Sequence, residues 1–343
     1  MLQEILREEF PKLSDHATPL SELDIDSFGL VALRARIEQA LGRTISDASW
    51  CEVVCPNDIL RLVAPAPVQA IGSTTASNPC AEVRSFSINM PQMAIGGLSE
   101  SWLFKELGDI HWNMITSGLE TSSSTICDGS GDRLYATFTR ISLSMRDPLR
   151  TIGENSHITM SGAMTRTGAG FFTSQVGLND LTGPIGNAVL MSSFSKREGR
   201  TNSALLKGQP TIPTECPIPE VGPTTFAKEY RVRRSSPVPA PIFECEYQLI
   251  PFYDINGVGL LYFAAYPIIN DICATRYRKD IAAGYSTTER DIYYFNNANP
   301  DETILFRIHA WDVSRDKIVM QTSLSRQSDG AMMAYIHTSK ANV

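Results

Sequence analysis

The spacing of apolar residues divides the chain into a helical beginning and a longer part that is rich in strands. Apolar residues recur at helical spacing at Leu30, Leu33, Ile37 and Leu41. They predict an amphipathic helix that has Asp26 or Ser27 as its N-cap and Gly42 as its stop. Shorter helices are predicted at residues 2–6 and 56–63. The beginning of the chain therefore predicts a small all-α domain, a helical bundle.

The rest of the chain alternates between two helical stretches and strand-like runs. The helical stretches are Ser99–Ile115 and Gly257–Arg276, and each has one short strand before it and several strand-like runs after it. The second stretch is apolar on nearly every face up to Asn270, which predicts that sheet surrounds it. We interpret the repeated order as an internal duplication of about 150 residues. The predicted fold class is α+β, with the all-α domain followed by two antiparallel sheets, each wrapped around one helix.

Two segments of unusual composition separate these parts. The segment between Val63 and Glu82 carries no charge and is rich in Ala, Pro, Ser and Thr, as tethers are. Residues 198–241 contain eight of the twenty prolines, and because proline is disfavoured inside helices and strands, they predict a connection rather than a core layer. The predicted boundaries are 1–63 for the helical domain, 64–82 for the linker, 83–197 for the first half, 198–241 for the connection and 242–343 for the second half.

The charge balance narrows the classes of partner. The chain has 30 Lys and Arg against 37 Asp and Glu, and this net charge of −7 argues against a nucleic acid partner. The acidity is concentrated in residues 1–63, which hold 11 acidic and 6 basic residues. No apolar run approaches the ~18 residues that a membrane span needs. The first residues also lack the features of a signal peptide, so we expect a cytoplasmic protein without a membrane partner. The seven cysteines are scattered without metal-ligand spacing, and no metal site is predicted.

The residues at the start of the predicted helix resemble a known modification site. The run Leu23-Asp24-Ile25-Asp26-Ser27-Phe28 resembles the phosphopantetheine attachment site of acyl carrier proteins, although Phe28 stands where Leu is usual. The resemblance covers residues 1–63 and implies that Ser27 carries phosphopantetheine, which a phosphopantetheinyl transferase would attach. A helix N-terminus stabilises a phosphodiester through its free amides and its dipole. The alternative is that Asp26 and Ser27 form an ordinary helix cap.

A second resemblance begins at Asp254. The run Asp254-Ile255-Asn256-Gly257-Val258-Gly259-Leu260-Leu261-Tyr262-Phe263-Ala264-Ala265-Tyr266 looks like the strand-to-helix transition of hotdog-fold acyl thioesterases. Asn256 stands where these thioesterases carry their catalytic Asp, and because an amide cannot act as a general base, simple hydrolysis is disfavoured. The glycines would let helix amides approach a thioester carbonyl, or they would only allow a tight turn. The substrate-binding residues that the resemblance implies are Asp254, Gly257, Val258 and Gly259.

The first half contains a looser counterpart at residues 96–112. Together with residues 290–295 it resembles the double-hotdog bifunctional acyltransferase/decarboxylases of polyketide assembly lines, and the resemblance covers residues 84–340. Members of that family take a methylmalonyl group from coenzyme A, use a tyrosine hydroxyl as acyl acceptor, lose carbon dioxide and pass propionyl to a carrier protein. The resemblance implies that Tyr135 is this acyl acceptor. The substrate-contacting residues that it implies in this half are Gly97 and Leu98.

Tyr135 would need assistance from its surroundings. A phenol has a pKa of about 10, so it is a weak nucleophile at neutral pH without a base or a positive field. Arg133, Arg140 and His111 are the candidates for that help. The alternative is that Tyr135 is a half-buried aromatic residue of a strand, which is the most common role of tyrosine in a sheet. Asn256 is expected to position the thioester through hydrogen bonds.

Three hypotheses follow for the function. The leading one is an acyltransferase, and also a decarboxylase, that takes a (methyl)malonyl-type group from acyl-CoA and loads the product on the arm of Ser27. The second is a hotdog thioesterase or dehydratase that acts on carrier-bound chains, and the third is a non-catalytic module that binds such chains. Asn256 argues against hydrolysis, and the lack of a carboxylate paired with a histidine near the helix starts weakens dehydration. The expected partners are acyl-CoA, the phosphopantetheinyl transferase and other biosynthetic assembly-line enzymes.

Overall fold

The computed structural model describes most of the chain after residue 79 and parts of the chain before it. The described residues are 5–6, 10, 18, 20, 23, 25, 27–41, 45, 50, 53–61, 80–197, 199, 201–203, 205–280 and 284–343. The chain divides into two compact units, Met1–Thr75 and Ala76–Val343. Residues 64–79 of the predicted linker lie outside the described residues.

The first unit has two helices whose full range is described, and an apolar core. The helices are α1 (Ser27–Leu41) and α2 (Pro56–Arg61). The buried core residues are Leu6, Phe10, Leu20, Leu33, Ile37, Ile45 and Ile59. Within α1, Leu33 and Ile37 are separated by helical spacing and both lie buried in this core. Asp26 and Gly42, the predicted N-cap and stop, lie outside the described residues.

The second unit consists mainly of antiparallel strands. Its strands are β1 (Ala81–Ser87), β2 (Met93–Ala94), β3 (Gly97–Leu98), β4 (Tyr135–Met145), β5 (His157–Thr167), β6 (Phe171–Asp180), β7 (Gly183–Arg197), β8 (Leu205–Gly208), β9 (Phe243–Gln248), β10 (Tyr285–Tyr294), β11 (Thr303–Val313), β12 (Lys317–Arg326) and β13 (Met332–Asn342). Its helices are α3 (Glu100–Gly118), α4 (Thr225–Ser235), α5 (Pro251–Asp254) and α6 (Ala265–Tyr277). The strand-like runs of the sequence fall on β1, β4 to β7 and β9 to β13, because the alternation of apolar residues matches the two faces of a sheet.

The two halves of this unit have the same strand order. The first half runs β1-β5-β6-β7-β4 across the sheet, and the second half runs β9-β11-β12-β13-β10. Strands β4 and β10 pair antiparallel, for example Ile141 with Ile292, so the halves form one continuous sheet. The prediction of two separate sheets is therefore wrong. Pairing β4 with β10 removes two sheet edges whose backbone groups would otherwise lack strand partners.

Each half has one long helix, and both helices lie on the same face of the sheet. The side chain of Arg290 in β10 contacts Glu100 of α3 and Asp271 of α6, which places both helices over the central strands. Helix α3 agrees with its predicted range to within three residues, but α6 begins at Ala265 rather than at the predicted Gly257. The reason is local, because Gly259 has a φ of 80°, which is outside the helical region.

The Pro-rich connection adds a small layer to the opposite face of the sheet. Helix α4 and strand β8 both lie in this connection. Strand β8 joins the main sheet by pairing with β7. The apolar cluster between α4 and the sheet consists of Met191, Ala227, Tyr230, Tyr293 and Tyr335. The prediction that residues 198–241 form only a connection is therefore incomplete. None of the helices within the described ranges is long and apolar enough to cross a membrane.

Candidate functional site

A cavity of about 840 Å³ is lined by residues of both halves of the second unit. The first half contributes one face of α3 and the beginning of β4, and the second half contributes the loop before α6 and the residues after β10. Lining residues from the first half include Asp109, Trp112, Tyr135, Phe138 and Ser195, and those from the second half include Asn256, Gly257, Val258, Tyr262, Phe263 and Tyr294. The cavity thus brings Tyr135 and Asn256, predicted from separate parts of the sequence, into one site.

Asp254 anchors the beginning of the loop before α6. Its carboxylate accepts hydrogen bonds from the Tyr247 hydroxyl at 3.1 Å and from the amide of Ile250 at 2.7 Å. Its carbonyl oxygen accepts a hydrogen bond from the amide of Tyr262 at 2.7 Å. Burial, together with the Asp254 carboxylate, raises the pKa of Tyr247 to about 12. Asp254 is buried and does not line the cavity, so its visible role is to hold the loop.

Asn256 closes the loop into a turn through its side-chain oxygen. Asn256 Oδ1 accepts hydrogen bonds from the amide of Val258 at 3.1 Å and from the amide of Leu260 at 3.0 Å. The Asn256 carbonyl oxygen accepts from the amide of Gly259 at 2.9 Å, and Gly259 itself has the positive φ that glycine adopts easily. Gly257 and Val258 line the cavity and Gly259 does not. The loop is therefore a side-chain-stabilised turn and not the first turn of a helix.

Two residues from outside the second half hold the carbonyl groups of this loop. Arg197, at the end of β7, donates a hydrogen bond to the Val258 carbonyl at 2.7 Å. Asn202, in the Pro-rich connection, donates from Nδ2 to the Gly259 carbonyl at 2.5 Å. Neither residue was singled out by sequence analysis, because nothing near them in the sequence signals partners that are more than fifty residues away.

Asn297 holds the other end of the loop. Its Oδ1 accepts from the amide of Leu261 at 2.9 Å, and its Nδ2 donates to the Leu261 carbonyl at 3.2 Å. Within the described part of the chain, the amides of the lining residues Gly257 and Phe263 have no hydrogen-bond partner. These two amides are therefore the candidate hydrogen-bond donors of the loop for a ligand in the cavity. Such donors stabilise a carbonyl oxygen on which negative charge develops.

Tyr135 is the first residue of β4 and is half-buried at the cavity wall. The guanidinium carbon of Arg133 lies 4.9 Å from the centre of the Tyr135 ring. Among the described residues, none forms a hydrogen bond with the Tyr135 hydroxyl. This contact is a cation–π interaction, which holds the positive charge of Arg133 over the face of the Tyr135 ring. Of the three candidates for assistance, Arg133 is the one in contact with Tyr135.

His111 is buried beside the cavity and is not free to assist Tyr135. Its Nδ1 shares a hydrogen bond with Ser174 Oγ at 2.7 Å, and its Nε2 shares one with Ser192 Oγ at 2.8 Å. Burial lowers the pKa of His111 to about 3, so the imidazole is neutral at physiological pH. The ring packs on Phe138, with 5.0 Å between ring centres, and so supports the cavity wall from behind.

Arg140 is likewise committed elsewhere. Its guanidinium donates to both carboxylate oxygens of Asp291, at 2.9 and 2.8 Å, and to Glu229 at 2.7 Å. These contacts join β4 to β10 and to α4 on the face opposite the core. Arg140 therefore fastens the two halves together and is not a partner of the Tyr135 hydroxyl.

The cavity contains few groups that could act as a base. Among the described lining residues there is no histidine, and the only carboxylate is Asp109. Asp109 forms an ion pair with Arg84 at 2.6 Å, and its side chain is 60% exposed. Burial raises the pKa of the lining residue Tyr262, and the nearby carboxylates of Asp109 and Glu106 raise it further, so this phenol stays protonated. A carboxylate–histidine pair of the kind that dehydration needs is not found in this lining.

Gly97 and Leu98, the substrate-contacting residues implied in the first half, do not line the cavity. A Cβ atom on Gly97 would lie 2.4 Å from the Cα atom of Arg150, so this glycine permits a close backbone approach. Leu98 is buried in the main core. In this structure both residues serve packing, because the first half begins its helix directly after β3 and lacks the long loop of the second half.

The duplication allows the positions under the two helices to be matched. Phe138 in β4 pairs with Ser192 in β7, and Thr287 in β10 pairs with Lys340 in β13. In β4 the strand register shifts directly after Phe138, and in β10 it shifts directly after Thr287, so the two pairs occupy matching positions. The neutral His111 of α3 contacts the first pair, as described above.

Ion pairs occupy the matching position under α6. Asp271 accepts a hydrogen bond from Lys340 Nζ at 2.8 Å and forms an ion pair with Arg290 at 3.0 Å. Arg290, which is fully buried, also pairs with Glu100 at 2.6 Å. Burial alone would raise the pKa of Asp271, but the charges of Arg290 and Lys340 hold it below its usual value. The two halves thus fill equivalent positions with neutral groups in one case and charged groups in the other.

Solved structures of other proteins share the fold of the second unit. An acyl-ACP thioesterase from Bacteroides thetaiotaomicron superposes with a TM-score of 0.54 at 11% identity, covering 76% of this chain and 97% of that chain. The 12:0-ACP thioesterase from Umbellularia californica superposes with a TM-score of 0.56 at 10% identity, covering 77% of this chain and 95% of that chain. No family model and no curated protein matches the sequence. The second unit therefore has the hotdog fold.

Proposed function

We propose that the second unit processes acyl thioesters and transfers the acyl group rather than hydrolysing the thioester. The observation that carries this proposal is the chemistry at Asn256. Its position corresponds to a catalytic Asp in the thioesterases that the sequence resembles, yet it is an amide whose oxygen is occupied by two backbone amides. The described lining residues include no histidine, and their one carboxylate, Asp109, is held in an ion pair with Arg84, so a water molecule has no free general base, whereas transfer to a protein hydroxyl needs no bound water.

Tyr135 is the proposed acyl acceptor. Its oxygen attacks the thioester carbonyl, a C–O bond forms, the C–S bond breaks, and the phenol proton passes to the departing thiolate. The Arg133 guanidinium over the ring would favour the charge that develops on the phenol oxygen. The amides of Gly257 and Phe263 would stabilise the carbonyl oxygen in the transition state. A carrier thiol then attacks the tyrosyl ester, which restores the phenol.

Decarboxylation is proposed for a (methyl)malonyl group on the enzyme. The bond between the α-carbon and the carboxylate breaks, carbon dioxide leaves, and the electron pair forms an enolate that then takes a proton from water. This step needs stabilisation of the enolate oxygen more than it needs a base. The amides of Gly257 and Phe263 could stabilise the enolate oxygen, and the shortage of bases in the described lining does not hinder a step that needs none.

Ser27 is the proposed attachment point of phosphopantetheine in the first unit. Helix α1 has 15 residues and begins at Ser27, so a phosphodiester there would lie at the N-terminus of a regular helix. The thiol of the arm would accept the acyl group from Tyr135. Phosphopantetheinyl transferase, acyl-CoA and further assembly-line enzymes are the partners that this role requires.

A thioesterase is the second candidate, because Asp109 lies in the cavity lining. If Asp109 left its ion pair with Arg84, it could activate water beside a bound thioester. The resulting prediction is that Asp109→Asn abolishes release of free acid. The transferase proposal predicts that acyl transfer survives this change.

Intact-protein mass spectrometry tests the proposal. The full chain, with and without phosphopantetheinylation, is incubated with methylmalonyl-CoA, and the mass of each species is followed with time. Transfer predicts an added acyl mass on the unmodified chain, and decarboxylation predicts that this mass is that of propionyl. Quantitative formation of free methylmalonate without any acylated chain would contradict the proposal and favour hydrolysis.

A further inference from the structure

Asn202 is a buried amide that sequence analysis did not identify. It lies in the Pro-rich connection, is 3% exposed and lines the cavity. Its backbone amide donates to Asn299 Oδ1 at 2.7 Å. Its Nδ2 donates to two carbonyl oxygens, Gly259 at 2.5 Å and Ala298 at 2.9 Å. The side chain is therefore fixed between the loop before α6 and the segment after β10.

These contacts also fix which atom of the amide is available. Both neighbours of Nδ2 are carbonyl oxygens, which only accept hydrogen bonds, so the nitrogen must be on that side. The alternative orientation would place Oδ1 against two oxygens. Across the described residues, no donor is bonded to Asn202 Oδ1. Asn202 as a whole is buried, but Oδ1 itself is not fully buried, so this acceptor without a donor is accessible from the cavity that the residue lines.

We propose that Asn202 Oδ1 binds the substrate by accepting a hydrogen bond from an amide N–H of the pantetheine arm. This inference rests on the proposed function and deepens it. Asn202 is bonded to the loop that offers donors for the thioester carbonyl, so the group it binds must lie near that carbonyl. In a pantetheine thioester the nearest donor is the amide N–H two methylene groups from the sulfur. The loop binds the carbonyl and Asn202 binds the amide.

The test compares two synthetic thioesters that differ in one group. One is the methylmalonyl thioester of N-acetylcysteamine, and the other replaces its amide N–H by an ester oxygen. Dissociation constants are measured by calorimetry on the full chain carrying Tyr135→Phe, which removes the acceptor oxygen. We expect the amide probe to bind about tenfold more tightly, which is the factor that one well-formed hydrogen bond supplies.

Two variants locate the interaction. In Asn202→Ala the preference for the amide probe should disappear. In Asn297→Ala, which also removes hydrogen bonds to the loop but leaves Asn202 in place, binding should weaken for both probes and the preference should remain. A preference that survives in Asn202→Ala would overturn the inference, and so would equal binding of the two probes by the Tyr135→Phe chain. The comparison of the two probes on the Tyr135→Phe chain tests the inference even if Asn202→Ala fails to fold.

The proposed function and this inference fail in different ways. If both probes bind equally and are still transferred by the unmodified chain, only the role of Asn202 is wrong. If neither probe binds, the second unit does not bind pantetheine thioesters, and both proposals are overturned.

Discussion

The two halves of the second unit share a strand order but differ at the position where each helix meets the central sheet. Under α3, the neutral His111 is held by two serines beside a wall of the cavity. Under α6, four charged residues neutralise one another. The charged cluster consists of Glu100, Asp271, Arg290 and Lys340. The comparison teaches that equivalent positions of the two halves can hold either neutral groups beside a cavity or charged groups, and that the Glu100–Arg290 ion pair joins the two halves.

The largest expected effect is at the cavity, where the proposed acyl acceptor Tyr135 lies. Tyr135→Phe removes only the acceptor oxygen, so acyl transfer should fall at least about 10²–10⁴-fold while folding is retained. Tyr285→Phe is the matched control, because Tyr285 begins β10 as Tyr135 begins β4 but does not line the cavity. Single-turnover acylation with methylmalonyl-CoA is the measurement. Equal rates in the two variants would remove Tyr135 from the mechanism.

Substitutions in the charged cluster should change the free energy of unfolding. Glu100→Gln leaves the fully buried Arg290 with one carboxylate partner fewer, which should lower the free energy of unfolding by about 3 kcal/mol. Asp109→Asn in the same helix breaks a mostly exposed pair and should cost less than about 1 kcal/mol. Denaturant unfolding of both variants checks this order. Similar losses would show that the buried cluster does not fasten the halves.

Asn256→Asp sharpens the comparison between transfer and hydrolysis. A carboxylate can still accept from the amides of Val258 and Leu260, so the turn should persist, and its second oxygen could activate water. The ratio of free acid to acylated chain should rise severalfold. Chromatography of the products from wild type and variant measures it. An unchanged ratio would place Asn256 outside the reacting centre.

The smallest effect concerns acid stability. The pKa of His111 is about 3 in the folded chain, against about 6.5 for an ordinary histidine, so the unfolded chain binds the extra proton between these values. Stability should therefore fall as the pH drops below about 6.5, by at most about 1.4 kcal/mol per pH unit for this group. His111→Gln, which keeps polar contact with the serines, should reduce that slope. Unfolding curves at pH 7, 6 and 5 provide the measurement, and parallel slopes would argue against a neutral buried His111.

The sequence was sufficient to predict the strands and the duplication, since both follow from local apolar patterns. It was not sufficient to predict that β4 and β10 join the halves, because each strand by itself is equally suited to a sheet edge. The start of α6 was misplaced, since the residues after Gly257 are as apolar as the helix and the turn depends on the Asn256 side chain. Tyr135 and Asn256, which both line the cavity, were singled out through a resemblance, and their roles stay predictions. Asn202 carries no local signal, because its partners are distant in the chain.

The origin of the loop contacts limits how this protein can be recombined. The loop belongs to the second half, but Arg197 and Asn202, which hold its carbonyl groups, come from the end of β7 and from the connection. A chimera that combines this second half with a foreign first half and linker would inherit the loop without the residues that shape it. The exchangeable module is therefore the whole of Ala76–Val343, and a crossover between its halves should yield a folded but poorly active hybrid.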